Sequence, residues 1–483
     1  MIAFLLTILL LFITPQDRSE QPLFEKMDSE RTGITFVNIV EEKPGNNILE
    51  SEFFFNGGGV AVGDLDQNGF PDLYFTANQG ANALYMNRGN YRFENISREA
   101  GVEDTGGWTA GSAFADVNAD GLLDIYVCKA GKVPVDERRN KLFINNGVAE
   151  ESRYPSFTEQ ASQFGLDDPG YCTQPVFFDY NMDGLLDLFI VNYNTRNFQG
   201  FDLAAIRNEK DPYAGDKLYR NNGDGTFSDV SEEAGIFQYP IGFGLSATVS
   251  DLNEDGLPDI YVTNDFMERD YMYINQGDGT FRDEILARTD VTSYFSMGSD
   301  IADINNDGLP DIMVTDMRPW DYERRQRFKM PDYSITDQLL ANGYHQKNMR
   351  NTLQLNRGEG VFSEIGRLAG VKETDWSWST LLADFDNDGH KDLYVTNGFP
   401  RYYTDLDYLN NILWKEYPDE DLPDNASIKY ELVQQMEEVE LQNKAFLNRG
   451  NLQYEEVTDR WGLKGVTASS GGMYVDLNNN GAL

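Results

Sequence analysis

The stretch DLDQNGFPDLYF, residues 64–75, decides the fold. It places acids or an amide at positions 1, 3, 5 and 9 of a short loop, namely Asp64, Asp66, Asn68 and Asp72. Carboxylates this close repel one another, so the arrangement requires a cation. Alternate oxygen ligands around a turn, here at Gly69, are typical of calcium sites. The strand-like sequence DLYF follows at once.

The same loop recurs along the chain. Complete copies begin at Asp116, Asp179, Asp251, Asp303 and Asp384, and a seventh copy, DLNNNGAL, begins at Asp476. Successive copies start 52 to 92 residues apart. The unit is therefore about 50 residues with insertions of varying size, a length that suits one blade of a propeller.

The six complete copies predict six calcium sites, and the seventh copy ends before position 9, which leaves its site incomplete. The predicted side-chain ligands are Asp64, Asp66, Asn68, Asp72, Asp116, Asn118, Asp120, Asp124, Asp179, Asn181, Asp183, Asp187, Asp251, Asn253, Asp255, Asp259, Asp303, Asn305, Asp307, Asp311, Asp384, Asp386, Asp388 and Asp392. The calcium is expected to be structural, because it would be held between two strands of one unit.

Each loop lies between two short apolar or alternating runs, which predicts two strands joined by the loop. A third run ending in an Asn-Gly, Asp-Gly or Arg-Gly turn and a fourth run follow in most units, as in DKLYRNNGDGTF and FSDVSEEAGI. Four antiparallel strands per unit, arranged radially, predict an all-β, seven-bladed β-propeller whose last blade is incomplete. Residues 23–34 follow the fourth-strand pattern and are expected to close the ring.

These loops, the LY-x-N-x-G-x-F segments and the AGV-like strand ends resemble the FG-GAP, or VCBS-like, repeats of integrin-α-type propellers. The chain more narrowly resembles secreted proteins akin to cartilage acidic protein, whose bacterial relatives often carry a C-terminal ASPIC/UnbV domain. The resemblance covers residues 23–483. It implies a calcium-loaded propeller used for recognition, with a backbone carbonyl of Phe70 as a further ligand in the first loop.

Ligand binding is expected on the face opposite the calcium loops. Long, partly helical insertions at 193–215, 318–350 and 398–442 fall between second and third strands, and loops on one face of a rigid scaffold commonly carry function. Candidate ligand-face residues are Trp108, Trp376, Trp378, Arg324 and Arg325. The alternatives stay open: the aromatic residues could pack between blades, and the arginines could lie on a solvated helix face.

Composition limits the class of protein. Asp and Glu number 80 against 39 Lys and Arg, a net charge of −41, which argues against nucleic acid as a partner. Residues 1–16 contain an apolar run of signal-peptide length, so a signal peptide or N-terminal anchor is expected, without other membrane insertion. The protein is then secreted or held in the cell envelope. Cys128 and Cys172 could pair, but two isolated cysteines more often are small buried hydrophobes.

Two functional hypotheses follow. The first is a non-enzymatic recognition or adhesion module for an extracellular glycan or protein, because no compact nucleophile motif occurs. The second is a polysaccharide lyase or hydrolase with its site on the insertion face, since propellers host such enzymes. Candidate proton-transfer groups for it are His345, Tyr344 and the arginine cluster.

Overall fold

The acidic loops, defined as the stretches that begin at Asp64, Asp116, Asp179, Asp251, Asp303, Asp384 and Asp476, organise the fold. A computed structural model describes residues 22–195, 205–331, 333–418 and 422–483 of the protein. In blade one, the acidic loop joins two antiparallel strands and two more follow in sequence order. These are β1 (Val60–Gly63), β2 (Asp72–Phe75), β3 (Ala83–Asn87) and β4 (Phe93–Asn95).

Five more blades repeat this order. Blade two is β5 (Trp108–Ala115), β6 (Asp124–Ala130), β7 (Lys141–Val148) and β8 (Pro155–Glu159). Blade three is β9 (Cys172–Phe178), β10 (Asp187–Asn192), β11 (Lys217–Asn221) and β12 (Phe227–Asp229). Blade four is β13 (Gly244–Ser250), β14 (Asp259–Asn264), β15 (Tyr271–Asn275) and β16 (Phe281–Asp283).

In blade five, the chain adds a short parallel pair, β17 (Thr292–Ser293) with β20 (Lys347–Asn348). Its four-stranded sheet is β18 (Ser299–Ala302), β19 (Asp311–Val314), β21 (Thr352–Asn356) and β22 (Phe362–Glu364). Blade six is β23 (Ser377–Ala383), β24 (Asp392–Asn397), β25 (Lys444–Asn448) and β26 (Tyr454–Glu456). The fold is therefore a β-propeller.

The prediction of seven blades is wrong for the described residues, which form six four-stranded blades. The seventh acidic loop keeps its local geometry, because the N–H groups of Asn480 and Gly481 donate to Asp476. Among the described residues, no strand follows this loop. The stretch before it lies between blades six and one, where Ser469 N–H donates to Asn397 O and Ser470 Oγ donates to Gly58 O.

The N-terminal segment also packs between these two blades. Phe24 N–H donates to Trp461 O at 2.8 Å after blade six, and Phe36 stacks on Phe75 of blade one with ring centroids 5.2 Å apart. A one-turn helix begins after Asp28, whose side chain accepts a hydrogen bond from Arg31 N–H and so caps it. Residues 23–34 thus lie between the last and first blades of the ring, but within the described residues they form no fourth strand of a seventh blade.

Helices are few and short. Their bounds are α1 (Ser29–Thr32), α2 (Ser97–Ala100), α3 (Ala161–Phe164), α4 (Ile285–Arg288), α5 (Tyr322–Arg327), α6 (Thr336–Ala341), α7 (Gly366–Ala369), α8 (Leu406–Tyr408), α9 (Trp414–Glu416) and α10 (Ala426–Val433). The four that follow a fourth strand, α2, α3, α4 and α7, are single turns. The insertions between second and third strands carry α5, α6, α8, α9 and α10, and therefore lie at the end of the propeller opposite the acidic loops.

A hydrophobic plug, defined as residues 46–56, contributes to the core at the insertion end. Ile48, Phe53 and Phe54 are buried there with residues from several blades and from the last insertion. Other clusters lie between neighbouring sheets, as stacked blades require, for example between blades two and three and between blades three and four. The plug was not foreseen, because its sequence NNILESEFFFN lacks the period of a strand or a helix.

For Cys128 and Cys172 the sequence left both alternatives open and favoured unpaired, buried thiols, whereas the structure pairs them. A disulfide joins Cys128 in β6 of blade two to Cys172 in β9 of blade three, and both residues are fully buried. The two strands are neighbours in space, which the sequence could not show. Among the described residues, no helix has the length and apolar character needed to cross a bilayer. The predicted segment 1–16 lies outside the described residues.

Candidate metal centre

Loop one directs its side-chain oxygens inward through hydrogen bonds to its own backbone. The Asp64 carboxylate accepts from Asn68 N–H at 3.0 Å and from Gly69 N–H at 2.7 Å. The Asn68 amide oxygen accepts from Phe70 N–H at 2.8 Å. These bonds hold the loop in a tight ring, so that its oxygens converge on one point.

Position 9 ties the loop to its blade. Asp72 is fully buried and accepts from Leu65 N–H of the loop at 2.9 Å and from Asn87 N–H of β3 at 2.7 Å. Carboxylate oxygens of Asp64, Asp66 and Asp72 lie within 4.8 Å of one another. Arg88 forms a salt bridge to Asp66 at 3.2 Å and so competes with any cation at this loop.

The other five complete loops repeat this geometry. In each, the position 1 carboxylate accepts from the N–H groups of positions 5 and 6, and the position 9 carboxylate accepts from the N–H of position 2. Loop six also brings Asp384, Asp386 and Asp388 within 4.8 Å of one another. In loops two to five, an asparagine at position 3 offers an amide oxygen in place of a carboxylate.

The electrostatics of the loops favour a bound cation. The pKa of the Asp72 carboxyl is raised to about 7, chiefly by burial. Two backbone hydrogen bonds lower this pKa, and the nearby Asp66 and Asp64 carboxylates raise it. Burial likewise raises the pKa of the position 9 carboxyl to about 6 in the other loops, at Asp124, Asp187, Asp259, Asp311 and Asp392. Several clustered oxygen donors form a donor set that fits a hard divalent cation, although Arg88 supplies a counter-charge to Asp66 in loop one.

A third-strand asparagine supports each loop, and the sequence analysis missed its role. In blade four, Asn275 is 2% exposed, and its amide nitrogen donates to Pro258 O of its own loop at 3.2 Å and to Tyr180 O of the previous loop at 2.8 Å. The same pair of bonds occurs at Asn87, Asn145, Asn221, Asn356 and Asn448. Each asparagine therefore couples two neighbouring loops.

Removal of such an asparagine should be costly. We expect Asn275→Ala to lower the free energy of unfolding by about 2 kcal/mol, because two buried carbonyl oxygens lose their donor. Urea denaturation with calcium present measures the effect. Asn222→Ala is the matched control, since Asn222 is exposed in the equivalent hairpin of blade three and its amide nitrogen donates to Thr226 and Ser228 within that hairpin. An equal effect of both changes would contradict the coupling role.

The predicted ligand-face tryptophans lie in the core around the plug. Trp108 is 7% exposed and packs on Phe54 with ring centroids 5.5 Å apart. Trp376 is 4% exposed and stacks on Phe399 at 3.9 Å, and Trp378 donates from its indole nitrogen to Gly398 O. The structure thus brings Trp376 and Trp378 together beside Phe399 and supports the packing alternative.

The predicted arginines are paired with acids. Arg324 contacts Asp375 at 2.6 Å, and Arg325 contacts Glu373 at 2.5 Å. Both acids follow α7 of blade five, so the arginines fasten the insertion that carries α5 to the blade. The acids neutralise the positive charges of Arg324 and Arg325, which would otherwise attract an acidic ligand.

The candidate proton-transfer groups His345 and Tyr344 are buried, 9% and 2% exposed. His345 Nε2 lies 3.0 Å from Thr289 Oγ1, and Tyr344 lies under the Arg207 guanidinium at 4.4 Å. Burial lowers the pKa of His345 to about 4, and the charges of Lys347 and Arg269 lower it further. This arrangement gives no support to a role in proton transfer to a substrate.

The buried imidazole predicts a pH effect on stability. The pKa of His345 in the folded protein, about 4, lies below the ordinary value of a histidine. At a pH between these two values, the unfolded chain binds a proton at His345 that the folded protein does not, so the stability of the fold decreases as pH falls. From pH 7 to 5 we expect His345 to account for a loss of about 2 kcal/mol. Urea midpoints at both pH values, in saturating calcium, should fall further for the parent protein than for His345→Gln. Equal losses would contradict the burial of a neutral imidazole.

A family model described as the FG-GAP-like repeat matches residues 64–127, 201–262, 251–314 and 335–395, which include five of the six complete acidic loops. The chain belongs to the FG-GAP-like repeat proteins. The resemblance expected from the loops is thereby confirmed, and the β-propeller is the fold that these repeats build.

Among curated proteins, this FG-GAP-like chain is 25% identical to cartilage acidic protein 1 of Homo sapiens over 446 residues, covering 82% of this chain and 63% of that protein. It is 25% identical to the Mus musculus protein of the same name over 384 residues, covering 70% and 57%. The chain thus spans about three fifths of the length of these relatives. Among solved structures, an Agrocybe aegerita lectin that recognises non-reducing terminal N-acetylglucosamine is similar, with 16% identity, a TM-score of 0.42 and coverage of 84% of this chain and 83% of the lectin.

Proposed function

We propose that this protein is an extracellular recognition module, a propeller loaded with calcium that binds a glycan or a protein through its insertion end. The observation that carries the proposal is the repeated loop geometry: in all six complete loops the position 1 carboxylate accepts from the backbone N–H of position 5. In loops one and six, three carboxylates also lie within 4.8 Å of one another. A scaffold stiffened at one end leaves the other end free for ligand binding.

Calcium would be held by the side chains at positions 1, 3, 5 and 9 of each complete loop. When bound, it would neutralise clustered carboxylates and fix the end of the blade. The chain's own part is to orient these oxygens, through the backbone N–H groups of each loop and the third-strand asparagine. Position 9 is decisive, because its carboxylate alone reaches the loop and the third strand together.

An extracellular location is supported by the buried disulfide, since such bonds persist mainly in oxidising compartments. The similarity to cartilage acidic protein 1 agrees with this choice. Enzymatic activity is not proposed, because His345 and Tyr344 are buried and the suggested arginines are paired with acids.

The proposal is tested by a glycan array and a pull-down with the calcium-loaded protein, repeated in chelator. Binding should require calcium and should fall when exposed insertion residues are changed, as in Trp320→Ala or Tyr322→Ala, which remove side chains 48% and 68% exposed. Met182→Ala is the control, because Met182 is 61% exposed in acidic loop three at the other end. Binding lost equally in all three variants, or found with the chelated protein, would refute the proposal.

A further inference from the structure

A small cavity beneath the plug holds polar groups that the packing of the core does not explain. It is lined by aromatic side chains that include Trp376, Trp378 and Phe399 and encloses about 20 Å³. That volume has room for one water-sized group. Glu52, which is exposed, lines the cavity and so marks a side of it that solvent reaches.

Two hydrogen-bond donors at this cavity lack acceptors. Trp376 is 4% exposed, and its indole nitrogen has no hydrogen-bond partner within the described part of the chain. The side-chain nitrogen of Asn56, from the plug, is buried and likewise has none. The neighbouring Trp378 differs, because its indole N–H donates to Gly398 O at 2.7 Å. Unmet buried donors are costly, so Trp376 and Asn56 point to an acceptor atom in the cavity.

An acid faces the same space. Asp265 is 5% exposed, and one of its oxygens accepts from Phe266 N–H at 2.8 Å. Burial raises the pKa of Asp265 to about 8, and the charge of Glu52 raises it further, although Lys347 opposes this. The Lys347 ammonium donates to the backbone oxygens of Asn264, Phe266 and Glu268, so its three protons are occupied elsewhere.

The chemistry of the occupant follows from these atoms. A simple cation would leave the two N–H donors without an acceptor. An anion would lie next to the two acids, Glu52 and Asp265, which disfavour it. A hydroxyl group both accepts and donates, and its size matches the enclosed volume. The carbon-bound hydrogens beside a sugar hydroxyl pack well on aromatic rings, and six of the twelve lining residues are aromatic.

We propose that the cavity seats a hydroxyl group of a carbohydrate ligand, which accepts hydrogen bonds from Trp376 and Asn56 and donates one to Asp265. The inference rests on the proposed recognition function, because it names the ligand class of that module. The body of the sugar lies on the Glu52 side of the cavity. A water molecule held permanently at the site is the competing occupant.

The test uses the full chain with calcium bound and the methyl glycosides of glucose, galactose, mannose, xylose and N-acetylglucosamine as probes. Saturation-transfer NMR should show saturable binding of at least one glycoside. Trp376→Phe and Asn56→Leu should each weaken that binding at least tenfold. Trp376→Phe should keep or raise the melting temperature, because it removes an unmet donor while the ring stays stacked on Phe399. Trp461→Phe, a buried tryptophan in blade six, is the control that should bind normally.

Two results would overturn the inference. Binding that survives Trp376→Phe and Asn56→Leu would leave the recognition function intact but place its site elsewhere. If none of the five glycosides binds, the cavity holds only water. Metal content and melting temperature, measured on the same samples, report separately whether the calcium-loaded scaffold has formed, so failure of the cavity and failure of the proposed function are distinguishable.

Discussion

Removal of calcium is expected to lower the melting temperature by more than ~10 °C, the largest effect that we predict. At a calcium concentration about 100 times the dissociation constant, each independent site would add about 2.7 kcal/mol, and six such sites about 16 kcal/mol. Without the cation, each loop leaves carboxylates that repel at the end of a blade. The measurement is a pair of thermal melts, in calcium and in excess chelator, with metal content counted by mass spectrometry.

The controls separate a specific ion from general screening of charge. Magnesium at the same concentration should restore less stability, because it prefers a smaller octahedral shell with several waters. The variant Asp259→Asn should lose one bound calcium, and Asp224→Asn, in an exposed hairpin turn outside the loops, should lose none. Fewer than one bound ion per molecule, together with unchanged melts, would mean that the loops are turns without metal.

The acidic loops and the order of strands were predictable because their determinants are local. A glycine at position 6 and acids at fixed spacing specify a turn whatever surrounds it. The left-handed backbone at position 4 is not evident from the sequence. Met182 has a φ of 60° and Glu254 a φ of 62°, although neither residue type favours that region. The surrounding hydrogen bonds impose this conformation, and they are visible only in the folded loop.

The errors concern contacts between distant parts of the chain. The third-strand asparagines looked like hairpin residues, and their second partner belongs to the preceding blade. The tryptophans looked like surface residues, but they pack in one cluster with the plug. The number of blades was mispredicted for the same reason. An acidic loop forms through local hydrogen bonds, whereas a blade also requires strands that pair with one another. Asn87 even donates to Leu477 O of the seventh loop at 2.9 Å, as the other asparagines do to theirs.

The disulfide carries the second large prediction. Replacing both cysteines, as in Cys128→Ala/Cys172→Ala, is expected to lower the free energy of unfolding by about 4 kcal/mol, because the bond closes a loop of this length in the unfolded chain. The two residues are 44 apart in sequence, and the bond joins blades two and three, so both would be affected. Urea denaturation with calcium present measures the change, and hydrogen exchange should show the loss of protection concentrated in β6 and β9.

Reductant provides the matched control. It should bring the urea midpoint of the parent protein down to that of the double variant and should leave the variant itself unchanged. Ala100→Gly provides a second control, because Ala100 is buried in the core between blades one and two and the change leaves the disulfide intact. Reductant should lower the urea midpoint of this variant as it does that of the parent protein. A parent protein that reductant unfolds no more easily, with free thiols confirmed after denaturation, would show that the blades are held by packing and by the acidic loops alone.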